Sequence, residues 1–155
     1  MEPQLRRKDR AIPLTEAKRI LQAGEYGVLS TASADGKPYG VPISYAYIED
    51  SIYFHGAIEG QKITNLRNNN RISFCVVGKT QVLPSKFATN YESVIIRGEV
   101  LEITGDEKRQ GLIFLLEKYA PGYIGKGLQY IKTTEGKTRV FKILVHSITG
   151  KARRR

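Results

Sequence analysis

The stretch Ile52-Tyr-Phe-His-Gly-Ala-Ile-Glu-Gly-Gln-Lys62 carries most of the chemistry visible in this chain. A strand ends in His55, Gly56 and Gly60 bracket a tight loop, and a helix then opens with Lys62 in its first turn. Two glycines let the backbone turn sharply and approach a ligand, and a helix start offers unpaired N–H groups at the positive end of its dipole. Lys62 adds a point charge, and His55 adds a donor that titrates near neutrality. Such a cradle suits a phosphate monoester. The same spacing also describes a plain strand-to-helix connection with a solvated lysine. Other chemistries lack their residues: there is no phosphate-binding P-loop sequence, no HExxH, no CxxC and no GxSxG. Gly122-Tyr-Ile-Gly-Lys-Gly127 has the wrong spacing for a dinucleotide fingerprint. Two histidines and one cysteine are too few for a structural zinc site, and Cys75 sits in an apolar run where a structural thiol is the common case. His146, in the last strand, reads as structural.

The elements that must position this stretch are mostly strands. Thr15–Gly24 reads as a short helix with Thr15 as N-cap, Gly24 as its stop and Leu14, Ala17, Ile20 and Leu21 on one face. Residues 26–33 and 38–48 flank Asp35-Gly36 and read as a hairpin, with Pro42 marking an edge or bulge. A turn at 49–51 leads into Ile52–His55, which predicts a three-stranded meander. A helix is expected over 61–68, strands over 72–77 and 92–103 (with a bulge at Gly98), and a long connection with at most an edge strand over 78–91. Asp106 is expected to cap a helix over 107–119, with another helical turn or two between 121 and 132 and a last strand over 138–148. The sum is a mainly β chain of six or seven antiparallel strands with inserted helices, which removes its edges best by closing into a small barrel.

The 155 residues fit one domain, with basic and flexible ends at 1–10 and 150–155. The formal charge of +10 is uneven: residues 1–10 and 142–155 together hold +7, and the rest +3. Charge confined to the ends argues against a specific nucleic-acid reader. No segment reaches the length of a spanning helix or carries a secretory h-region, so a soluble, cytoplasmic protein is expected.

The order Arg6-Arg-Lys-Asp-Arg10, Gly27-Val-Leu-Ser-Thr31, Asp35-Gly-Lys-Pro-Tyr-Gly-Val-Pro42, and Tyr53-Phe-His-Gly-Ala57 with Gly60 and Lys62 resembles one family across nearly the whole chain. Tyr91-Glu-Ser-Val94, Gly98 and Ile148-Thr-Gly-Lys151 continue the pattern. It is similar to the flavin-binding split-barrel proteins related to pyridoxamine 5′-phosphate oxidase, in their nitroimidazole-resistance (Nim-type) branch. The resemblance implies a six-stranded antiparallel split β-barrel that forms a homodimer, with FMN bound at sites between subunits. It implies that Val41, Pro42, Ile43 and Ser44 lie along the isoalloxazine ring, and that Phe54, His55, Gly56, Ala57, Gln61 and Lys62 hold ribityl and phosphate. Gln61 stands where wider relatives often carry arginine, so one positive charge is lost. Tyr91 and Ser93 would come from the neighbouring subunit or the barrel mouth. Read from the residues alone, an apolar mouth flanked by Tyr39, Tyr45, Tyr53 and Tyr91 could take a planar ring, and tyrosines in strands are also ordinary sheet residues.

His55 is the catalytic candidate that the resemblance supplies, and the acceptor would be a small planar molecule such as a nitroaromatic or quinone. A pyridoxamine-phosphate-type oxidase ranks lower, because the Arg-rich C-terminal recognition segment of those enzymes is not matched. A non-enzymatic flavin- or haem-binding module is the alternative from another class.

Overall fold

The computed structural model describes residues 4–155. One sheet dominates it, in the order β2-β1-β5-β6-β7-β4-β3, with every ladder antiparallel. The strands are β1 (Gly27–Ala32), β2 (Pro38–Ile43), β3 (Ala46–Ile48), β4 (Ser51–Gly56), β5 (Arg71–Leu83), β6 (Ala88–Ile103) and β7 (Arg139–Arg153). Among the described residues four α-helices punctuate them: α1 (Leu14–Ala23), α2 (Gln61–Asn68), α3 (Gly105–Tyr119) and α4 (Ile124–Thr134). The mainly β, split-barrel expectation holds, with seven strands among the described residues. The sheet is not closed by hydrogen bonds, because β2 and β3 form its two ends.

That split corrects the expected meander. Residues 38–48 do not run as one strand beside β4. They break at Ser44-Tyr45, so that β2 pairs only with β1 and β3 pairs with β4 at the far end of the sheet. Two residues therefore bridge the opening of the barrel. The turns on either side follow their sequence: Gly36 has φ +86°, and Glu49 and Asp50 both have positive φ, as a tight hairpin between right-twisted strands requires.

The central strands are longer than their local signals. Residues 78–91 are no loose connection, because β5 and β6 extend through them to a hairpin tip at Pro84–Lys86, where Phe87 is left-handed and 97% exposed. β6 alternates in burial along nearly its whole length, the period-two pattern of a strand with one face on a core. Gly98 meets the expected irregularity: Arg97 pairs with Ser147 but Gly98 with Val145, so His146 is the extra residue and bulges from β7. β7 continues through Arg153, which replaces the expected frayed end at 150–153 with ordered strand. Near the other end, Lys8–Arg10 form a single 3-10 turn, and Ala11 bridges to Lys151.

The core lies inside the curved sheet, built on Leu29, Phe54, Phe74, Val76, Val94, Ile96 and Ile143, all fully enclosed. Phe54 stacks on Phe141 with ring centres 5.1 Å apart. α1 plugs one end with Ala17, Ile20 and Leu21; Leu14 points to solvent, and Pro13 rather than Thr15 takes the N-cap position. Pro is tolerated there because it gives up an N–H that no helical carbonyl would reach. Thr104, not Asp106, precedes α3, leaving Asp106 in its first turn, where a carboxylate suits the dipole.

A Cβ on Gly98 would sit 2.2 Å from the Leu144 carbonyl oxygen, so Gly98→Ala must displace backbone. Urea melting should show a loss of about 1–3 kcal/mol. Gly136→Ala, with open space around it, should stay within about 0.5 kcal/mol. Equal effects of the two variants would contradict the packing described.

Candidate functional site

The candidate cradle forms where β4 runs out into α2. Gly60 precedes the helix with φ +146°, a backbone that side chains avoid, and nothing crowds the position of its missing Cβ. The helix therefore opens with its first N–H groups clear of side-chain caps. Lys62, in the first turn, folds back toward β4. Its Nζ lies 3.1 Å from where a Cβ on Gly56 would stand and 5.9 Å from the centre of the Phe54 ring. Gly56 is thus a space requirement, since the ammonium needs the room beside the strand.

Lys62 is half-buried and makes no ion pair among the described residues. Burial lowers its pKa from the ordinary lysine value. His55, one residue before Gly56 and exposed on the opposite face of β4, has its pKa lowered by partial burial and then by the Lys62 ammonium. A cation held partly out of water without a partner is a destabilising arrangement unless an anion joins it. Hydrogen bonds steady the cradle from behind: Gln61 Nε2 donates to Asn65 Oδ1 at 2.7 Å, and Asn65 Nδ2 donates to Thr31 Oγ1 at 2.9 Å. Asn65 is 1% exposed, so α2 is pinned to β1 by a buried polar link. Arg139 on β7 donates to the Ile58 carbonyl at 2.8 Å and pairs with Glu102, fixing the intervening loop.

His55 also borders a cavity of about 500 Å³ between β4 and the two helices α3 and α4, with Ser44, Leu112, Leu116, Tyr119 and Ile131 among its walls. That size suits a small organic ligand. Its roof is tied to the β2–β3 corner. Tyr119 Oη accepts from the Tyr45 N–H at 3.0 Å and donates to the Glu25 carbonyl, and Lys118 Nζ donates to the Tyr45 carbonyl at 2.9 Å. Lys118 lies 3.8 Å from the Tyr45 ring centre, and burial pulls its pKa down to about 8.

The expected residues divide accordingly. His55, Gly56, Ala57, Gln61 and Lys62 come together at one rim, and Ser44 joins His55 in the cavity wall. Val41 and Pro42 lie on the edge strand β2, where one row of backbone groups faces away from β1. Ile43 and Phe54 are core side chains, so only their backbone is open to a ligand. Tyr45 and Tyr53 are likewise buried and cannot flank a ring, whereas Tyr39 is exposed.

Tyr91 and Ser93 do not join the site within one chain. Tyr91 pairs with Arg153 and His55 with Val140, which separates them by roughly 40 Å of β7 at about 3.3 Å per residue. Cys75 is held in the sheet between Val28 and Ile95, and burial raises its thiol pKa, the reverse of activation. The sequence reading missed Asn65, Arg139 and the walls contributed by α3 and α4. Residues 112–116 fell inside the expected helix over 107–119, but nothing local aimed them at His55.

A mainly β sheet with inserted helices, a half-buried lysine at the start of α2 and an apolar cavity beside it defines a split-barrel protein. The chain belongs to the pyridoxamine 5′-phosphate oxidase-like family: the family model described as Pyridoxamine 5'-phosphate oxidase matches residues 13–152. Among solved structures it is similar to a candidate 5-nitroimidazole antibiotic resistance protein from Bacteroides thetaiotaomicron, at 24% identity and TM-score 0.74, over 92% of this chain and 86% of that one. It is also similar to a FAD-binding protein from Mesorhizobium loti, at 25% identity and TM-score 0.68, over 94% and 98% of the two chains. The heme storage protein HutZ from Vibrio cholerae shares the fold at 15% identity and TM-score 0.67, over 90% and 94%. No curated protein matches the chain. No helix among the described residues is long and apolar enough to cross a membrane.

The depressed pKa of His55 has a direct consequence. As pH falls below about 6.5, the unfolded chain takes up a proton before the folded one does, so this residue withdraws stability in that window and contributes none above it. NMR titration should place the His55 midpoint below 6.5. Lys62→Gln should move it upward, and so should inorganic phosphate bound in the cradle. A midpoint that ignores Lys62→Gln would contradict the proximity on which the site rests.

Proposed function

We propose that this protein is an FMN-dependent oxidoreductase that reduces a small planar acceptor, such as a nitroaromatic or a quinone. The observation that carries the reading is the position of His55, shared between a half-buried, unpaired Lys62 ammonium and an apolar cavity of ligand size. The donor set fits a flavin mononucleotide at its two ends. Lys62 and the open N–H groups at the start of α2 suit the phosphate, with Gly56 and Ala57 allowing close approach. The free edge of β2 at Val41 to Ile43, with Ser44 just beyond it, offers backbone groups to the polar rim of the ring. Bound there, FMN would supply the hydride or electron transfer that no side chain of this chain can perform.

The protein's own part is binding, water exclusion and proton placement. Leu112, Leu115, Leu116 and Ile131 keep the cavity apolar, which favours an uncharged planar acceptor over a phosphorylated amine. His55 is neutral at pH 7 while the cradle is empty, with one ring nitrogen donating and the other accepting. Burial is the larger cause of its lowered pKa and Lys62 repulsion the smaller; an anion beside Lys62 offsets the second, so ligand binding brings the imidazole closer to the range in which it can give a proton to a reduced acceptor. In this reading the molecule is a homodimer, and Tyr91 and Ser93 reach the flavin from the neighbouring subunit, since they cannot reach it within their own. The cytoplasm is the expected compartment.

A second reading, a non-enzymatic module that holds a planar cofactor, draws support from the shared fold of HutZ, whose name makes it a heme storage protein. Turnover separates the two. With NAD(P)H and a nitroaromatic or quinone, the wild-type protein should turn over, and His55→Ala should lose about tenfold or more of that rate with a smaller change in flavin content. Lys62→Gln should instead weaken FMN by about tenfold, the worth of one charge-assisted contact near 1.4 kcal/mol. Wild-type turnover and flavin affinity in both variants would overturn the assignment; bound cofactor without turnover would favour the module.

A further inference from the structure

Near the end of β7, Ser93 stands opposite Lys151 and Tyr91 opposite Arg153. Residues opposite each other in an antiparallel ladder project from the same face, so Ser93 and Lys151 share one face of the sheet, with Tyr91 two residues along it. The N-terminal segment is fastened across this region. Lys8–Arg10 form a 3-10 turn, Ala11 bridges to Lys151, and the Ile12 N–H donates to the Gly150 carbonyl at 3.1 Å. Gly150 permits the approach, since a Cβ there would stand 2.7 Å from Ile12 Cγ1. Arg10 is thereby brought to Tyr91, and its Nη1 donates to Tyr91 Oη at 3.4 Å. Lys151 Nζ lies 5.8 Å from the centre of the same ring.

These two partly buried cations lack a counter-charge: neither Arg10 nor Lys151 makes an ion pair among the described residues. The acid next to Arg10 in sequence, Asp9, is taken by Arg7 through bonds of 2.9 and 2.7 Å. Arg10 Nε is buried with no hydrogen-bond partner at all. A neutral phenol cannot balance the charges. They instead hold the Tyr91 hydroxyl below its ordinary pKa, first through the Arg10 hydrogen bond and then, against burial, through Lys151. Cations held partly out of water with an orphaned N–H are a destabilising arrangement that an anion would relieve. The orphaned Nε also leaves the 3.4 Å contact to Tyr91 as the one hydrogen bond that orients the Arg10 fork among the described residues, so the fork can turn onto a ligand.

We infer that Arg10 and Lys151 of one subunit bind the phosphate of the flavin cradled by Lys62 of its neighbour. The inference rests on the FMN-binding homodimer proposed above. Within one chain the charge at the cradle is incomplete: a phosphate monoester carries about −1.5 to −2 at pH 7, against the single Lys62 ammonium, and Gln61 adds nothing. Arg10 and Lys151 cannot supply the difference in their own chain. Lys151 lies roughly 36 Å along β7, at about 3.3 Å per residue, from Val140, the residue paired with His55. They do flank Tyr91 and Ser93, the segment that meets the neighbour's flavin in that reading, and so accompany it to the same molecule. A guanidinium fork and an ammonium suit the non-bridging oxygens of a phosphate.

The test is titration of the full chain with FMN and separately with riboflavin, followed by quenching of flavin fluorescence. Arg10→Gln and Lys151→Gln should each weaken FMN about tenfold. Both should leave riboflavin binding unchanged and the protein dimeric by size-exclusion chromatography. Lys8→Gln, an exposed charge two residues from Arg10, should affect neither ligand. Mixed dimers with Lys62→Gln in one subunit and Arg10→Gln in the other, isolated through two different tags, report whether the contact crosses the interface. Half of their sites should regain wild-type FMN affinity, because one site receives both substitutions and the other neither. Wild-type FMN affinity in both single variants would overturn the inference. So would equal losses for FMN and riboflavin, a loss shared by Lys8→Gln, variants that separate into monomers, or mixed dimers with no recovered site. Any of these, with FMN still bound by the wild-type chain, leaves the flavin reading standing; a wild-type chain that takes up no FMN overturns both.

Discussion

Tyr45 is the knot on which the architecture of the site depends. The sheet has two ends, and the chain crosses between them in two residues. Tyr45 occupies that crossing with no exposed surface. Its hydroxyl donates to the Leu21 carbonyl of α1, and its ring meets Phe74 edge-on with centres 5.0 Å apart. Its backbone N–H and carbonyl are taken by Tyr119 and Lys118 of α3. One residue thereby ties the helix that plugs the barrel, the core strand β5 and the helix that roofs the cavity. Each of these bonds serves a buried polar group that would otherwise cost about 1–3 kcal/mol. The placement of Ser44 beside His55 follows from it, as does the free edge that β2 keeps.

Charge is distributed by the same logic of partnered and unpartnered groups. At the C-terminal end of β7, Glu92 and Glu16 consume part of the positive charge to set guanidinium groups in place. At the β4–α2 junction no carboxylate does this for Lys62, and burial depresses its pKa instead. Among the described residues the protein therefore presents Lys62 without a carboxylate partner beside a glycine and a histidine, and a cluster of cations braced by Glu92 and Glu16. The +10 of the whole chain says little by itself about either; pairing and enclosure decide which charges can bind.

Much of this was legible locally. Asp35-Gly36 declared the first hairpin, and the glycines around 56–60 followed by Lys62 declared the cradle, because each needs a particular backbone within a few residues. Gly98 marked the level of the bulge, although the extra residue is His146 on the facing strand. The break at Ser44-Tyr45 was not legible, since residues 38–48 read as continuous strand and only packing against α1 and α3 divides them. The length of the β5–β6 hairpin was hidden by Gly78 and Pro84, which look like loop signals; Gly78 in fact makes room for Glu92 in a register shift, and Pro84 begins the tip. Of the site, the anion-facing half was readable and the apolar half was not. Its walls come from residues 112–134, brought over β4 by the tertiary fold. The basic end of the chain read as a flexible tail because no sequence signal shows that β6 and Tyr91 will pair with it.

The central claim, that the cradle at His55 and Lys62 holds a flavin phosphate, is tested most directly by the absorption spectrum of the purified protein with mass spectrometry of the released ligand. The account predicts flavin bands that bleach with dithionite and return in air, and a released mass equal to that of FMN. A colourless protein that also fails to take up added FMN would contradict it.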